Sequence, residues 1–91
     1  MQGRVTALLP DGLGADGPVT HQRFDLEVDG HRVEVDHNLT LAPRVPLTVG
    51  ETVVVRGQFE PDPGHPVIHY THHATTRHQG GFVEAGGQLY S

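Results

Sequence analysis

The sequence predicts an all-β domain with little helix, folded as a small five-stranded barrel. Three observations carry that expectation. Apolar and polar residues alternate in short runs, as they do on half-buried strands. Twelve glycines and seven prolines among 91 residues supply tight turns between those runs. No stretch has the periodicity of an amphipathic helix. The length gives one domain, residues 1–91, with room for a single modest core.

The first strand is GRVTALLP, Gly3 to Pro10, with Val5, Ala7 and Leu9 on one face. DGLGADGP follows, acidic and Gly-rich, and reads as a loop. HQRFDLEVDGHRVEVDHN is the clearest unit, because Asp29-Gly30 accepts the positive φ angles of a two-residue type I′ hairpin turn. That turn sets Phe24 against Val35, Leu26 against Val33 and Val28 against His31. The opposite face pairs Glu27 with Arg32 and Arg23 with Asp36, and leaves Asp25 facing Glu34 as a like-charge mismatch. The same register brings His21 opposite Asn38 and Gln22 opposite His37 at the open end of the hairpin.

LTLAPRVPLTVG holds Pro43 and Pro46, which disfavours a regular helix, and an extended connector with at most one helical turn is expected. ETVVVRGQFE reads as a strand with Val53, Val55 and Phe59 along one side, and Gly57 marks a bulge or a close approach. PDPGHP is a turn, VIHYTHH the next strand, and GGFVEAGGQLYS adds an edge strand or covers the barrel. Closing such a sheet removes edges that would promote aggregation, which points to an OB-like barrel first and an SH3-like barrel second.

Composition narrows the chemistry. The chain has no cysteine, so disulfides and thiolate metal sites are excluded. A formal charge of −5, with arginine as the only fixed basic side chain, disfavours extended duplex binding while leaving room for one phosphate on a local arginine cluster. No stretch has the length of a membrane helix, and MQGRV carries no secretion signal. Eight histidines are the unusual feature, because imidazole changes charge near neutral pH.

Four of them fall in VIHYTHHATTRHQGG, residues 67 to 81. On a continuous strand His69, Thr71 and His73 share one face, and Ile68, Tyr70 and His72 share the other. His72 then sits at the barrel's end beneath the core, and the turn Thr75-Thr76-Arg77 returns His78 towards His69 or His73. His69 and His73 have a spacing suited to a divalent metal, with His21 and His37, or Asp36, as further ligands. His31 and His65, beside turn glycines, read as ordinary surface residues. Arg23, Arg44 and Arg77 accompany the histidines, as expected where an anion such as phosphate is held.

HQRF, HNLTLAPR, LTVGETVVVRGQFE and IHYTHHATTRHQGGF together resemble the bacterial domain of unknown function numbered 3465, from about Gly3 to Tyr90. The resemblance implies a small OB-like barrel, often exported. That family's pattern has tryptophan where this chain has Tyr70 and Phe82, and aspartate at Ala74. The resemblance supports fold and site membership and leaves the chemistry to the residues.

Three functions follow. The first is a phosphodiester hydrolase or nuclease in which His21, His37, His69 and His73 hold zinc, manganese or magnesium. His72 or His78 then acts as acid or base, and Arg44 and Arg77 stabilise the developing charge. The second is a metal- or ligand-binding module without catalysis. The third is an interaction domain with a pH-sensitive histidine network. The expected partner is a small anionic or phosphate-containing ligand, or single-stranded nucleic acid. With three Phe, two Tyr and no Trp, a purely stacking strand-binder is disfavoured.

Overall fold

A computed structural model describes residues 1–13, 18–77 and 79–91. Eight strands follow one another: β1 (Gln2–Leu13), β2 (Thr20–Val28), β3 (His31–Asn38), β4 (Thr52–Arg56), β5 (Gln58–Glu60), β6 (Val67–His69), β7 (Phe82–Ala85) and β8 (Gln88–Tyr90). The all-β expectation holds. Among the described residues no helix is long and apolar enough to cross a membrane.

The count of five strands is corrected to eight among the described residues, and of the closed or nearly closed barrel expected, the sheet is not the closed form. The strands form a single sheet in the order β5-β6-β3-β2-β1-β4-β7-β8, which does not close. Yet β4 and β5 are separated only by Gly57, so the chain itself links the two sides of the sheet and curls it around one core. Gly57 is required there, because a Cβ would run into the His69 carbonyl oxygen. Of the three additional strands, β5 comes from division of the ETVVVRGQFE run at Gly57, and two come from the tail, where Gly86 and Gly87, at φ 57° and 81°, turn a β7–β8 hairpin that docks on β4.

The central hairpin has the predicted register, from His21 opposite Asn38 to Val28 opposite His31, around Asp29 at φ 50° and Gly30 at φ 81°. Phe24, Val35 and Ile68 line up across β2, β3 and β6, and Val5, Leu26 and Val33 across β1, β2 and β3. All six are buried and join Val45, Val53, Val55, Val83 and Ala85 in the core. Each fully buried Phe or Leu contributes about 1.5–3 kcal/mol.

The charged face solves its like-charge mismatch diagonally. Arg23 reaches past Asp36 to grip Glu34 with two bonds, Nε–Oε2 at 3.1 Å and Nη2–Oε1 at 3.2 Å, while its Nε stays 4.0 Å from Asp36. Arg32 turns to Asp25 at 3.8 Å and Arg4 takes Glu27 at 3.7 Å. The Arg23–Asp36 pair expected from register is kept at 4.0 Å, with Arg23 bonded more closely to Glu34, whereas the direct Glu27–Arg32 pair gives way as Arg32 turns to the buried Asp25, a carboxylate that needs the cation more.

Two element boundaries also move. β1 runs on to Leu13, so the expected loop begins later, and Gly14 to Gly17 lie outside the described residues. β6 ends at His69 rather than continuing to His73, because Tyr70 adopts φ 60° and turns the chain. The connector contains its one helical turn: Asn38 Oδ1 accepts from Thr40 N and Leu41 N, and Ala42 N donates to the Asn38 carbonyl.

Candidate functional site

The open end of the β2–β3 hairpin carries a buried polar layer. His21, Gln22, His37 and Asn38 are buried there, and Thr71 and His72 are brought in from beyond β6. Gln22 clamps the connector by donating from Nε2 to the Val45 carbonyl at 2.7 Å and accepting from Val45 N at 2.8 Å. His37 Nε2 donates to the Pro43 carbonyl at 2.9 Å, so its neutral ring accepts at Nδ1 from the Thr71 hydroxyl at 2.6 Å. His21 Nδ1 donates to the Val19 carbonyl at 2.9 Å, and His72 Nδ1 to the His73 carbonyl at 2.7 Å.

The His37 imidazole senses the other two. Burial pushes His37 below its ordinary 6.5, the Pro43 carbonyl pulls it part of the way back, and His72 and then His21 push it further down. His37 is therefore a neutral, structural imidazole at pH 7. A metal on His37 would have to displace either the Thr71 hydroxyl or the Pro43 carbonyl. Among the described residues no group of three or more His, Cys, Asp or Glu side chains is arranged to hold a metal ion.

The four expected metal ligands are divided between the interior and the surface. His21 and His37 belong to the buried layer. His69 lines an outer-face depression with Glu34, Asp36, Asp62 and His65, and His73 is exposed. Tyr70 is the reason: its left-handed backbone breaks the strand alternation that would have aligned His69, Thr71 and His73. Thr71 and His72 turn inward together instead. Such a conformation in a bulky residue costs roughly 1–3 kcal/mol and is uncommon. It is locked by Gly81, whose N donates to the His72 carbonyl at 2.7 Å and where a Cβ would strike the Arg56 and Tyr70 carbonyl oxygens.

Of the expected catalytic groups, two meet. His72 and Arg77 line a cavity of about 270 Å³ together with Val19, Asn38, Leu41, Thr75 and Thr76. Arg77 N donates to the Thr75 hydroxyl at 3.2 Å, which shapes the loop carrying the guanidinium. Arg44 is elsewhere, ion-paired with Asp11 beside Leu8, Leu9 and Val45. His78 lies outside the described residues. His31 is exposed, and His65 approaches Glu34 at 3.3 Å.

The six arginines divide sharply. Arg4, Arg23, Arg32 and Arg44 each face a carboxylate. Among the described residues Arg56 and Arg77 make no ion pair, and each lines a cavity with no described carboxylate in its wall. Sequence reasoning missed Asn38, Thr75 and Thr76 as lining groups. The run Thr75-Thr76-Arg77, three polar donors in a row, was the available signal. Nothing in the sequence signalled the left-handed Tyr70.

The family described as protein of unknown function (DUF3465) matches residues 1–91, the whole chain. No curated protein and no solved structure matches it.

Proposed function

We propose that this chain, which belongs to the DUF3465 family, is a small ligand-binding domain. Its Asn38–His72–Arg77 cavity takes a phosphate-bearing anion. One observation carries the reading: in a chain of formal charge −5, Arg77 stands without a carboxylate partner among the described residues, in a cavity whose described wall holds no carboxylate. A guanidinium offers five N–H donors in a planar fork that fits phosphate oxygens two at a time. Thr75 and Thr76 add hydroxyl donors. Asn38, with Oδ1 already accepting from Thr40 N and Leu41 N, has its amide NH₂ left to donate. At about 270 Å³ the space suits a phosphate group with a small carrier rather than an extended strand.

Calorimetric titration with inorganic phosphate at pH 7 tests this. Arg77→Gln is expected to weaken binding by about tenfold or more, the loss of a charge-assisted bidentate contact. Arg44→Gln is expected to leave it unchanged, since Arg44 is engaged by Asp11. Equal binding in native and Arg77→Gln protein would remove the proposal.

Hydrolysis is the second reading, favoured by the His72 imidazole lining the same cavity as Arg77. It predicts cleavage of plasmid or single-stranded DNA in the presence of Mg²⁺, Mn²⁺ or Zn²⁺, lost in both His72→Gln and Arg77→Gln. The binding reading predicts phosphate affinity with no turnover in that screen.

A further inference from the structure

A second cavity, of about 200 Å³, is lined by Arg56, Gly57, Gln58, Tyr70, Gln79 and Gly80. Among the described residues it shares no lining residue with the His72–Arg77 cavity. We infer that it is a binding site for a small aromatic anion, a single flat ring bearing one carboxylate-like group.

The walls are built rather than incidental. Gly57 and Gly81 allow the backbones of residues 56–57, 69–70 and 81 to approach so closely that a Cβ at either glycine would collide with a carbonyl oxygen. Between them Tyr70 is held at φ 60°, a conformation that glycine or asparagine would adopt with far less strain. The strained position nevertheless carries an aromatic ring, and the ring is fixed on two sides. Its centroid lies 5.7 Å from that of His69, tilted by 41°, and 6.1 Å from that of His72, edge-on at 79°.

The polar chemistry is selective. Arg56 is exposed and, like Arg77, makes no ion pair among the described residues. Gln58 Nε2 donates to Glu60 Oε1 at 2.7 Å, which leaves the Gln58 carbonyl oxygen as an acceptor. A guanidinium grips a carboxylate, an ordered phenol ring packs against a flat face, and Gln58 and Gln79 supply edge hydrogen bonds. The volume lies below the range of drug-sized pockets and matches one ring.

Benzoate is the probe, with acetate as anion without ring and benzamide as ring without charge. Each is titrated into the full chain and followed by amide chemical shifts. Benzoate is expected to bind saturably at roughly 1–10 mM, with shifts at Arg56 to Gln58, Tyr70, Gln79 and Gly80. Acetate and benzamide are expected to bind about tenfold more weakly or worse, each lacking one of the two contacts. Arg56→Gln, on the exposed end of β4, is expected to abolish the preference for benzoate over benzamide. Tyr70→Gly removes the ring and relieves the backbone, so it is expected to lose benzoate binding about tenfold while melting no lower than the native chain. Benzoate shifts confined to Asn38, His72 and Arg77, equal binding of benzoate and acetate, or undiminished binding by Tyr70→Gly would each overturn the assignment.

Discussion

His37 illustrates how burial converts a candidate ligand into a structural group. Both ring nitrogens are committed, one to the Pro43 carbonyl and one to the Thr71 hydroxyl, in a site closed to solvent. His37→Ala leaves the Pro43 carbonyl and the Thr71 hydroxyl without that partner and opens a cavity, so a loss of roughly 3 kcal/mol in urea unfolding is expected. The same residue gives the fold a pH dependence. Its folded pKa is depressed below 6.5, so the unfolded chain takes up the proton first as pH falls. The stability it contributes is complete above about pH 6.5 and is lost as pH falls from there through the folded value. The melting temperature is expected to drop between pH 7.5 and 5.5, with a shallower drop in His37→Ala; parallel curves would contradict this account. That His37 would meet other imidazoles followed from the hairpin register. That it would be saturated did not, because Pro43 and Thr71 arrive from a connector and a turn whose paths local pattern leaves open.

The β2–β3 hairpin was legible to the residue, since Asp29-Gly30 fixes the turn and a two-residue side-chain period fixes everything downstream of it. Its ion pairs were less so, because burial rather than register decides which carboxylate a long arginine reaches. Glu34 makes the point. Burial would raise its pKa, yet a hydrogen bond shared with Asp36, the bonds donated by Arg23 and the charges of Arg23 and His65 outweigh it and hold Glu34 below 4.5. Arg23→Ala removes the main cation from two buried carboxylates and is expected to cost about 2 kcal/mol at pH 7, less than a fully buried pair because the Arg23 side chain is 30% exposed. A depressed carboxyl stabilises above its unfolded pKa and ceases to do so as pH falls through the folded value. The Arg23→Ala penalty is therefore expected to shrink on titration from pH 7 to pH 3. A penalty constant with pH would show that Arg23 acts through packing alone. The VIHYTHH element failed at Tyr70, where three close backbones, not side-chain period, dictate the conformation.

At the scale of the molecule, the alternation of polar and apolar residues was enough to give an all-β chain around one core. The number of strands was not, because β4–β5 reads as one run in sequence and is divided in space by the bend at Gly57. The candidate site was half legible. His72 and Arg77 share a cavity, whereas Arg44 is captured by Asp11, His69 lines an outer-face depression and His73 is exposed. What distinguishes the cavity is its charge balance: carboxylates outnumber arginines in the chain, yet among the described residues two guanidiniums make no ion pair, both at cavities. Amide chemical-shift mapping with inorganic phosphate tests the central claim most directly. Saturable shifts centred on Asn38, Thr75, Thr76 and Arg77, absent in Arg77→Gln, are the expected result. Phosphate shifts scattered over all six arginines, without saturation and unaltered by that substitution, would contradict it.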